Sequence, residues 1–197
     1  LSLDTKLNQF YPDIPNSAQI NLKHLLSHRS GIFNYTNDPD YTSFMTTPQT
    51  KEQLLSRIRG YRPEFSPGSK HKYSNSNYVL LGFIIESLYD KPLKEIITKK
   101  ITQPLNLNST YYGNSIEIEE NEASSYRHNG HWIKQAETHM SVPHGAGAIV
   151  STAKDINQFF TALFGGRLIS SDSFRAMKEI GDVHDFGLAA APFGEKK

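Results

Sequence analysis

The residues best suited to chemistry form a short polar cluster that leads directly into an apolar run. Tyr73, Ser74 and Asn75 carry a phenol, a hydroxyl and an amide, and residues 79–88 after them are nearly all apolar. Such a run predicts a helix that is buried on all sides. Asn75 or one of the two residues after it can cap the helix by accepting a free backbone N–H. The cluster is therefore either a set of reactive groups on a rigid helix or only a cap with a packed tyrosine.

Composition limits the classes of protein to which the chain can belong. Its 197 residues fit one domain, and the formal net charge is +1 with no basic stripe, so nucleic acid is not an expected partner. The run at 79–88 is too short to span a bilayer. The chain has no cysteine, which excludes disulfides, thiolate metal sites and a cysteine nucleophile.

The histidines do not have the spacing of a metal site. His24 and His28 are four residues apart, as in a zinc pair, but no third ligand follows at a recognisable distance. His128 and His131 flank Asn129-Gly130, which predicts the turn of a short hairpin. We therefore expect surface or capping histidines, no metal and no cofactor.

Periodicity predicts several helices and few strands. The segment 20–31 reads as a helix that ends at Gly31, and further helices are predicted over 50–58 and 92–101. A fourth begins at the Thr152–Asp155 capping-box spacing and has an apolar stripe. The irregular segment 33–48 carries four aromatic residues, which could line a pocket or fold back over the core.

Five sequence blocks occur in an order that resembles a known family. The blocks are residues 1–4, 20–32, 65–82, 104–107 and 147–155. Together they resemble the class C β-lactamase-related serine hydrolases, which include D,D-peptidases, D-aminopeptidases and esterases. The resemblance implies an α+β, β-lactamase/transpeptidase-like fold. This chain would be a single domain over 1–197 that carries mainly the helical subdomain with few short strands.

The resemblance also implies three site elements. They are Ser-x-x-Lys with the nucleophilic serine, Tyr-x-Asn, and a Lys- or His-x-Gly strand near the oxyanion hole. Tyr73 would then be the catalytic residue of proton transfer, Asn75 would hold the substrate carbonyl, and Ser74 between them is included as substrate-binding. A tyrosine can act as a base only if a nearby positive charge stabilises its phenolate. In the family a lysine of Ser-x-x-Lys provides that charge, and the run 70–72 here reads instead as solvated charge.

The chain departs from the family pattern at the two outer elements. In the family Ser-x-x-Lys precedes the block at 1–4, and the Lys/His-x-Gly strand follows a stretch like 186–188. Ser69-x-x-Lys72 lies in a predicted turn, and Ser151-x-x-Lys154 begins a predicted helix but comes after Tyr-x-Asn. We therefore expect an incomplete domain that is inactive by itself. Ser-x-x-Lys with its nucleophile and sheet strands would be missing at the N-terminus, and Lys/His-x-Gly with further strands would be missing at the C-terminus.

These observations predict a β-lactamase-related serine hydrolase that acts on a β-lactam, a D-amino-acid peptide or an ester. The alternative is a catalytically inactive binding or scaffold protein of the same fold; a metal-dependent hydrolase built on the histidines is not supported by their spacing. An extracytoplasmic location follows from the resemblance alone. The expected partners are a small-molecule or peptide substrate, and either the missing segments or a second copy to cover exposed apolar helix faces.

Overall fold

The computed structural model describes residues 1–114 and 122–178, which are mostly helical. The α-helices are α1 (Leu22–Leu26), α2 (Tyr41–Phe44), α3 (Lys51–Gly60), α4 (Asn75–Tyr89), α5 (Leu93–Ile97), α6 (Ala153–Phe164) and α7 (Ser171–Lys178). Leu7–Gln9, Tyr35–Asn37 and His144–Ala146 form 3-10 turns, and a π-helical turn (Thr98–Thr102) extends α5. The strands are β1 (Tyr111–Tyr112), β2 (Tyr126–His128), β3 (Trp132–Lys134) and β4 (Ile149–Val150). Mainly helices with a few short strands is what the sequence predicted.

The described strands form two small antiparallel pairs. β1 pairs with β4 in the register Tyr111 to Val150, so residues almost forty positions apart meet. β2 and β3 form the predicted hairpin, with Gly130 at a φ of 77° in its turn. A left-handed backbone favours glycine at that position.

Helix α4 is the centre of the main core. Val79 and Leu80 are fully buried, and Phe83 and Ile84 are nearly so. They pack with apolar residues from the N-terminal part of the chain, among them Leu7, Ile20, Leu25, Tyr35, Leu54 and Ile58. Leu88, by contrast, is 49% exposed. The prediction that α4 is buried on all sides was wrong for its last turns, because they extend past the core to the surface.

A close approach of two backbones fixes the middle of α4. A Cβ atom on Gly82 would lie 2.6 Å from Nδ1 of His144, and one on Gly145 would lie 2.4 Å from the carbonyl oxygen of Tyr78. Both distances are below van der Waals contact, so the packing requires glycine at these positions. The small-residue stretch at 145–148 therefore serves close packing, as its composition predicts.

Helix α1 is shorter than predicted. It begins with a capping box of Asn21 and His24 and ends at Leu26, and His28 then takes a left-handed φ of 56°. Leaving the helix at this point lets residues 28–31 accept backbone hydrogen bonds from Lys72, Gly68 and Glu64. The predicted helix end at Gly31 was wrong because this pairing replaces the last helical turn.

Two aromatic residues of segment 33–48, Tyr35 and Phe44, are buried in the core. Tyr35 is 1% exposed and Phe44 is 4% exposed. The Tyr35 hydroxyl donates a hydrogen bond to the carbonyl oxygen of Val142 at 2.6 Å. Of the two readings of this segment, the structure supports the one in which it covers the core.

A second, smaller cluster lies at the other side of the described structure. Leu105, Leu107 and Ala162 are buried there, with Phe159 partly buried beside them. Around them is an open cavity of about 560 Å³, which we call the α6 groove. It is lined by residues of α6, the α5 extension and their neighbours, including Ile97, Ile101, Ile149, Ile156 and Phe160. In the parts of the chain that the structure describes, no helix is both long and apolar enough to cross a membrane.

Candidate active site

The structure brings Tyr73 and Asn75 together at the start of α4. The Tyr73 hydroxyl donates a hydrogen bond to Oδ1 of Asn75 at 2.8 Å. Tyr73 is 52% exposed, so its phenol can reach a molecule from solvent. At this distance the hydroxyl could exchange a proton with a bound molecule while the amide donates a hydrogen bond to a carbonyl of the same molecule.

Asn75 is held in turn by two residues of segment 33–48. Its Nδ2 donates to Oγ1 of Thr36 at 3.1 Å, and its backbone N–H donates to Oδ1 of Asn34 at 3.0 Å. Asn34 therefore satisfies the first free N–H of α4 and acts as its cap across the fold. None of the predicted caps does so, and the side chain of the residue before the helix, Ser74, makes no capping hydrogen bond.

Ser74 lies apart from the surface that Tyr73 and Asn75 present. It is 1% exposed, and its hydroxyl is buried without a hydrogen-bond partner among the described residues. Its backbone N–H donates to Nδ1 of His28 at 3.2 Å. In this conformation the Ser74 side chain points into the protein rather than toward a substrate.

The next two residues of α4 continue the same hydrogen bonding. Ser76 donates to the carbonyl oxygen of Phe33 at 2.6 Å and accepts the N–H of Tyr35 at 3.1 Å. Asn77, which is fully buried, accepts from the Ser30 hydroxyl at 2.6 Å. We call these hydrogen bonds, together with those of residues 74 and 75 to residues 28–36, the α4 network. It fixes the helix start against segment 28–36 and so holds the site residues in place.

Burial keeps the imidazole of the α4 network neutral. Desolvation by burial and, to a smaller extent, the nearby His71 lower the pKa of His28 to about 4. Desolvation also raises the pKa of the Tyr78 phenol, whose hydroxyl donates to the carbonyl oxygen of Leu26. The α4 network is therefore uncharged at neutral pH, so it supports Tyr73 without adding charge.

The two Ser-x-x-Lys matches do not form a nucleophile pair in the structure. Ser69 lies in a turn, where its hydroxyl donates to the carbonyl oxygen of Ser66. Ser151 precedes the N-cap of α6, so it does not share a helix face with Lys154, and its hydroxyl bonds that of Thr110 at 2.7 Å. Lys72 forms an ion pair with Glu64. The reading of 70–72 as solvated charge agrees with that pair.

The histidines His24 and His28 have different hydrogen-bond partners. His24 completes the capping box of α1 through Nδ1, whereas His28 faces Ser74 and Tyr73. No group of three or more metal-binding side chains occurs within residues 1–114 and 122–178. The predicted third-motif neighbourhood at 186–188 lies outside the described residues.

Sequence reasoning missed the residues that hold the site. His28, Asn34 and Thr36 are separated from their partners by 39 to 46 positions. Nothing in the local sequence indicates that pairing. The only available signal was that His28 and the Tyr73–Asn75 motif lie in two neighbouring blocks of the same family pattern.

The sequence of the chain matches a family model and is similar to known proteins. The family model described as Beta-lactamase matches residues 1–190. A putative D-alanyl-D-alanine carboxypeptidase of Escherichia coli K12 is 33% identical over 121 residues, which are 55% of this chain and 27% of that protein. A putative penicillin-binding protein of Bacillus subtilis is 27% identical over 95% of this chain and 46% of its own length.

Among solved structures, the D-amino acid amidase of Ochrobactrum anthropi SV3 superposes with a TM-score of 0.80 at 31% identity. The superposition covers 91% of this chain and 52% of that one, so the chain spans about half the length of its structural relative. The predicted β-lactamase/transpeptidase-like fold is thereby confirmed.

Proposed function

Because the chain belongs to the beta-lactamase family, we propose that the intact protein is a serine hydrolase that transfers the acyl group of a D-amino-acid peptide, amide or ester. The observation that carries this proposal is the hydrogen-bonded pair of an exposed Tyr73 and Asn75 on the rigid start of α4. The names of the relatives, a D-alanyl-D-alanine carboxypeptidase and a D-amino acid amidase, support D-amino-acid substrates. A β-lactam also presents a carbonyl that a serine can attack, so it would acylate the same serine.

In the proposed reaction Tyr73 acts as a phenolate: a serine oxygen attacks the substrate carbonyl, and the serine proton passes to the phenolate oxygen of Tyr73. The C–N or C–O bond then breaks, the leaving group takes that proton, and water releases the acyl group from the serine. Asn75 uses one N–H of Nδ2 for Thr36. Its second N–H is available to the substrate carbonyl.

Tyr73 needs a cation to serve as a base, and its contacts within residues 1–114 and 122–178 are with Asn75 and the neutral His28. Lys72 is paired with Glu64. We propose that the lysine and the serine of Ser-x-x-Lys lie outside this chain, which makes the domain of residues 1–197 incomplete and inactive by itself. The positions of Ser151 and Ser69 relative to the helices support this proposal.

Active-site labelling tests this proposal. We expect a fluorescent penicillin or a fluorophosphonate to label the full-length protein at one serine, and to leave residues 1–197 alone unlabelled. Stoichiometric labelling of Ser151 in the isolated chain, seen by mass spectrometry, would disprove the assignment of the nucleophile. A full-length protein that resists every acylating probe is instead an inactive binding or scaffold protein of this fold.

Substitutions at the site test the roles of Tyr73 and Asn75 in the full-length protein. Tyr73→Phe is expected to lower kcat by roughly 10²–10⁴-fold, the usual range for lost acid–base catalysis. Asn75→Ala is expected to weaken transition-state binding by about 1–3 kcal/mol. Tyr126, 54% exposed in the β2–β3 hairpin, supplies the matched control Tyr126→Phe, which should retain activity. Full activity in Tyr73→Phe would remove that residue from the mechanism.

We further propose that polypeptide outside this chain covers the α6 groove. Ile156 is 47% exposed and Phe160 is 46% exposed beside an apolar cavity, and the relatives are about twice as long as this chain. An exposed apolar face of this kind indicates an interface or a tendency to aggregate. In light scattering at micromolar concentration, we expect residues 1–197 to associate and the full-length protein to remain monodisperse. A monomeric isolated chain with a cooperative melt would show that the groove needs no cover.

The proposed location is outside the cytoplasm, which the family resemblance supports. Cell fractionation with an antibody against the chain tests it, and recovery only with cytoplasmic proteins would contradict it.

A further inference from the structure

We infer that His28 is a positioning residue that fixes the orientation of Tyr73, an inference that rests on the proposed function of Tyr73. The chain between Lys72 and Ser74 carries Tyr73, and His28 contacts it at three points. The His28 carbonyl oxygen accepts the N–H of Lys72 at 3.0 Å. Its Nδ1 accepts the N–H of Ser74 at 3.2 Å. Its ring lies against the Tyr73 ring, with centroids 4.5 Å apart and planes at 39°.

The backbone conformation of His28 allows this one residue to form all three contacts. Its φ of 56° lies in the left-handed region, which histidine adopts more often than most residues. That turn directs the carbonyl oxygen toward Lys72 and the side chain toward Ser74. The ring is 6% exposed and also packs on Tyr78, with centroids 5.2 Å apart, so it has little room to rotate.

The hydrogen bonds determine the tautomer of the ring. Nδ1 can accept an N–H only if it carries no proton, so the proton of the neutral ring is on Nε2. Nδ2 of Asn77 lies 3.3 Å from the same Nδ1, and Oδ1 of Asn77 already accepts from Ser30. Two N–H groups therefore converge on Nδ1. A protonated Nδ1 would face both of them and release the Ser74 backbone.

A hydroxyl that transfers a proton must be placed to within a fraction of an ångström, and a misplacement of about 1 Å can cost about 10²-fold in rate. Tyr73 is half exposed, and the His28 ring packs against it. His28 thus fixes both the backbone and the ring of a residue that would otherwise rotate in solvent.

A spectroscopic test stands whether or not the protein proves to be a hydrolase. In the full-length protein labelled with ¹⁵N-histidine, we expect His28 at pH 7 to show an unprotonated Nδ1 and a protonated Nε2, and the Ser74 amide to exchange slowly. In His28→Asn, which tolerates the left-handed backbone but lacks the ring, the Tyr73 ring resonances should shift. A protonated Nδ1 in the parent protein, or unchanged Tyr73 resonances in a folded His28→Asn variant, would overturn the proposal. Because the first readout uses the parent protein, a variant that fails to fold does not prevent the test.

Kinetics then separate positioning from general stability. We expect His28→Asn to lower kcat by about 10²-fold with little change in KM. Added to Tyr73→Phe, it should cause almost no further loss, because it acts through the group already removed. Leu105→Ala, in the second cluster away from the site, controls for lost stability and should keep kcat. Independent, multiplying losses in the double variant would show that His28 does not act through Tyr73. No activity in the parent protein, combined with the expected spectra, would refute the proposed function and leave the positioning intact.

Discussion

The start of α4 and the outer face of α6 differ in how their side chains are satisfied. At the start of α4, consecutive polar residues are buried, and Ser74, Ser76 and Asn77 are each at most 1% exposed. Partners in segment 28–36 accept or donate to all three residues. On α6, by contrast, the apolar Ile156 and Phe160 are about half exposed beside the α6 groove.

This difference shows which side chains are covered by other described residues and which are not. Buried polar groups are costly without partners. The side chains of Ser76 and Asn77 have theirs in segment 28–36, and of Ser74 the backbone N–H is bonded there but not the hydroxyl. An apolar stripe stabilises the protein only when it is removed from water. The exposed apolar residues of α6 therefore contribute little to stability in this structure. The start of α4 is therefore held in place by segment 28–36, whereas Ile156 and Phe160 on α6 remain about half exposed among the described residues.

The largest effect expected from this comparison is on stability. Leu80 on α4 is fully buried in the core, so Leu80→Ala in the full-length protein should lower the free energy of unfolding by about 2–5 kcal/mol. Phe164 on α6 is 66% exposed. Its replacement by alanine should cost no more than about 0.5 kcal/mol. Urea denaturation measures both, and equal losses would mean that α6 is as tightly packed as α4.

The next effect is a pH dependence that originates in the α4 network. The pKa of His28 is about 4 in the folded protein and near 6.5 in an unfolded chain, so the unfolded state binds the proton more readily. Stability from this group is therefore complete above pH 6.5 and is lost as the pH falls toward 4, by at most about 3 kcal/mol. The charged and titratable groups around the ring include His71, Tyr73 and Tyr78.

Thermal melts between pH 4 and 7.5 measure this dependence. His28→Asn should be less stable at pH 7 but lose less stability on acidification than the parent protein. Parallel pH profiles of the two proteins would contradict a neutral, buried His28.

Removing one member of the α4 network should have a smaller effect. Asn77→Ala leaves the Ser30 hydroxyl without its buried acceptor, and we expect a loss of about 1–3 kcal/mol. Asn8, exposed in the first 3-10 turn, provides the matched control Asn8→Ala. If both variants melt alike, the buried hydrogen bonds of Asn77 contribute nothing to stability.

The smallest effect on folding is expected at the α6 groove. Phe160→Ser removes an exposed ring that stacks on Phe164, and the free energy of unfolding should change by less than about 0.5 kcal/mol. It should nevertheless reduce the binding of a hydrophobic dye and the self-association of residues 1–197, both measured against Asn8→Ala. Unchanged association would place the contact surface elsewhere.

Several features of this protein could be predicted from the sequence because the interactions behind them are local. Thr50 and Gln53 form a capping box three residues apart at the start of α3, and Thr152 accepts the N–H of Asp155 at the start of α6. Gly130 supplies the left-handed turn of the β2–β3 hairpin. A cap or a tight turn needs only residues within a few positions, so its signature can be read from the sequence.

The motif Tyr73-x-Asn75 was also visible in the sequence, because two residues on either side of a helix start are necessarily near each other. What holds them was decided by the tertiary structure. The cap of α4 is Asn34, 41 positions away, and the partner of Ser74 is His28, 46 positions away. Local preference favoured a cap within 75–77, but those side chains are used to bond segment 28–36. A buried polar group takes whichever partner the packed fold brings within 3 Å, and only the folded chain determines which partner that is.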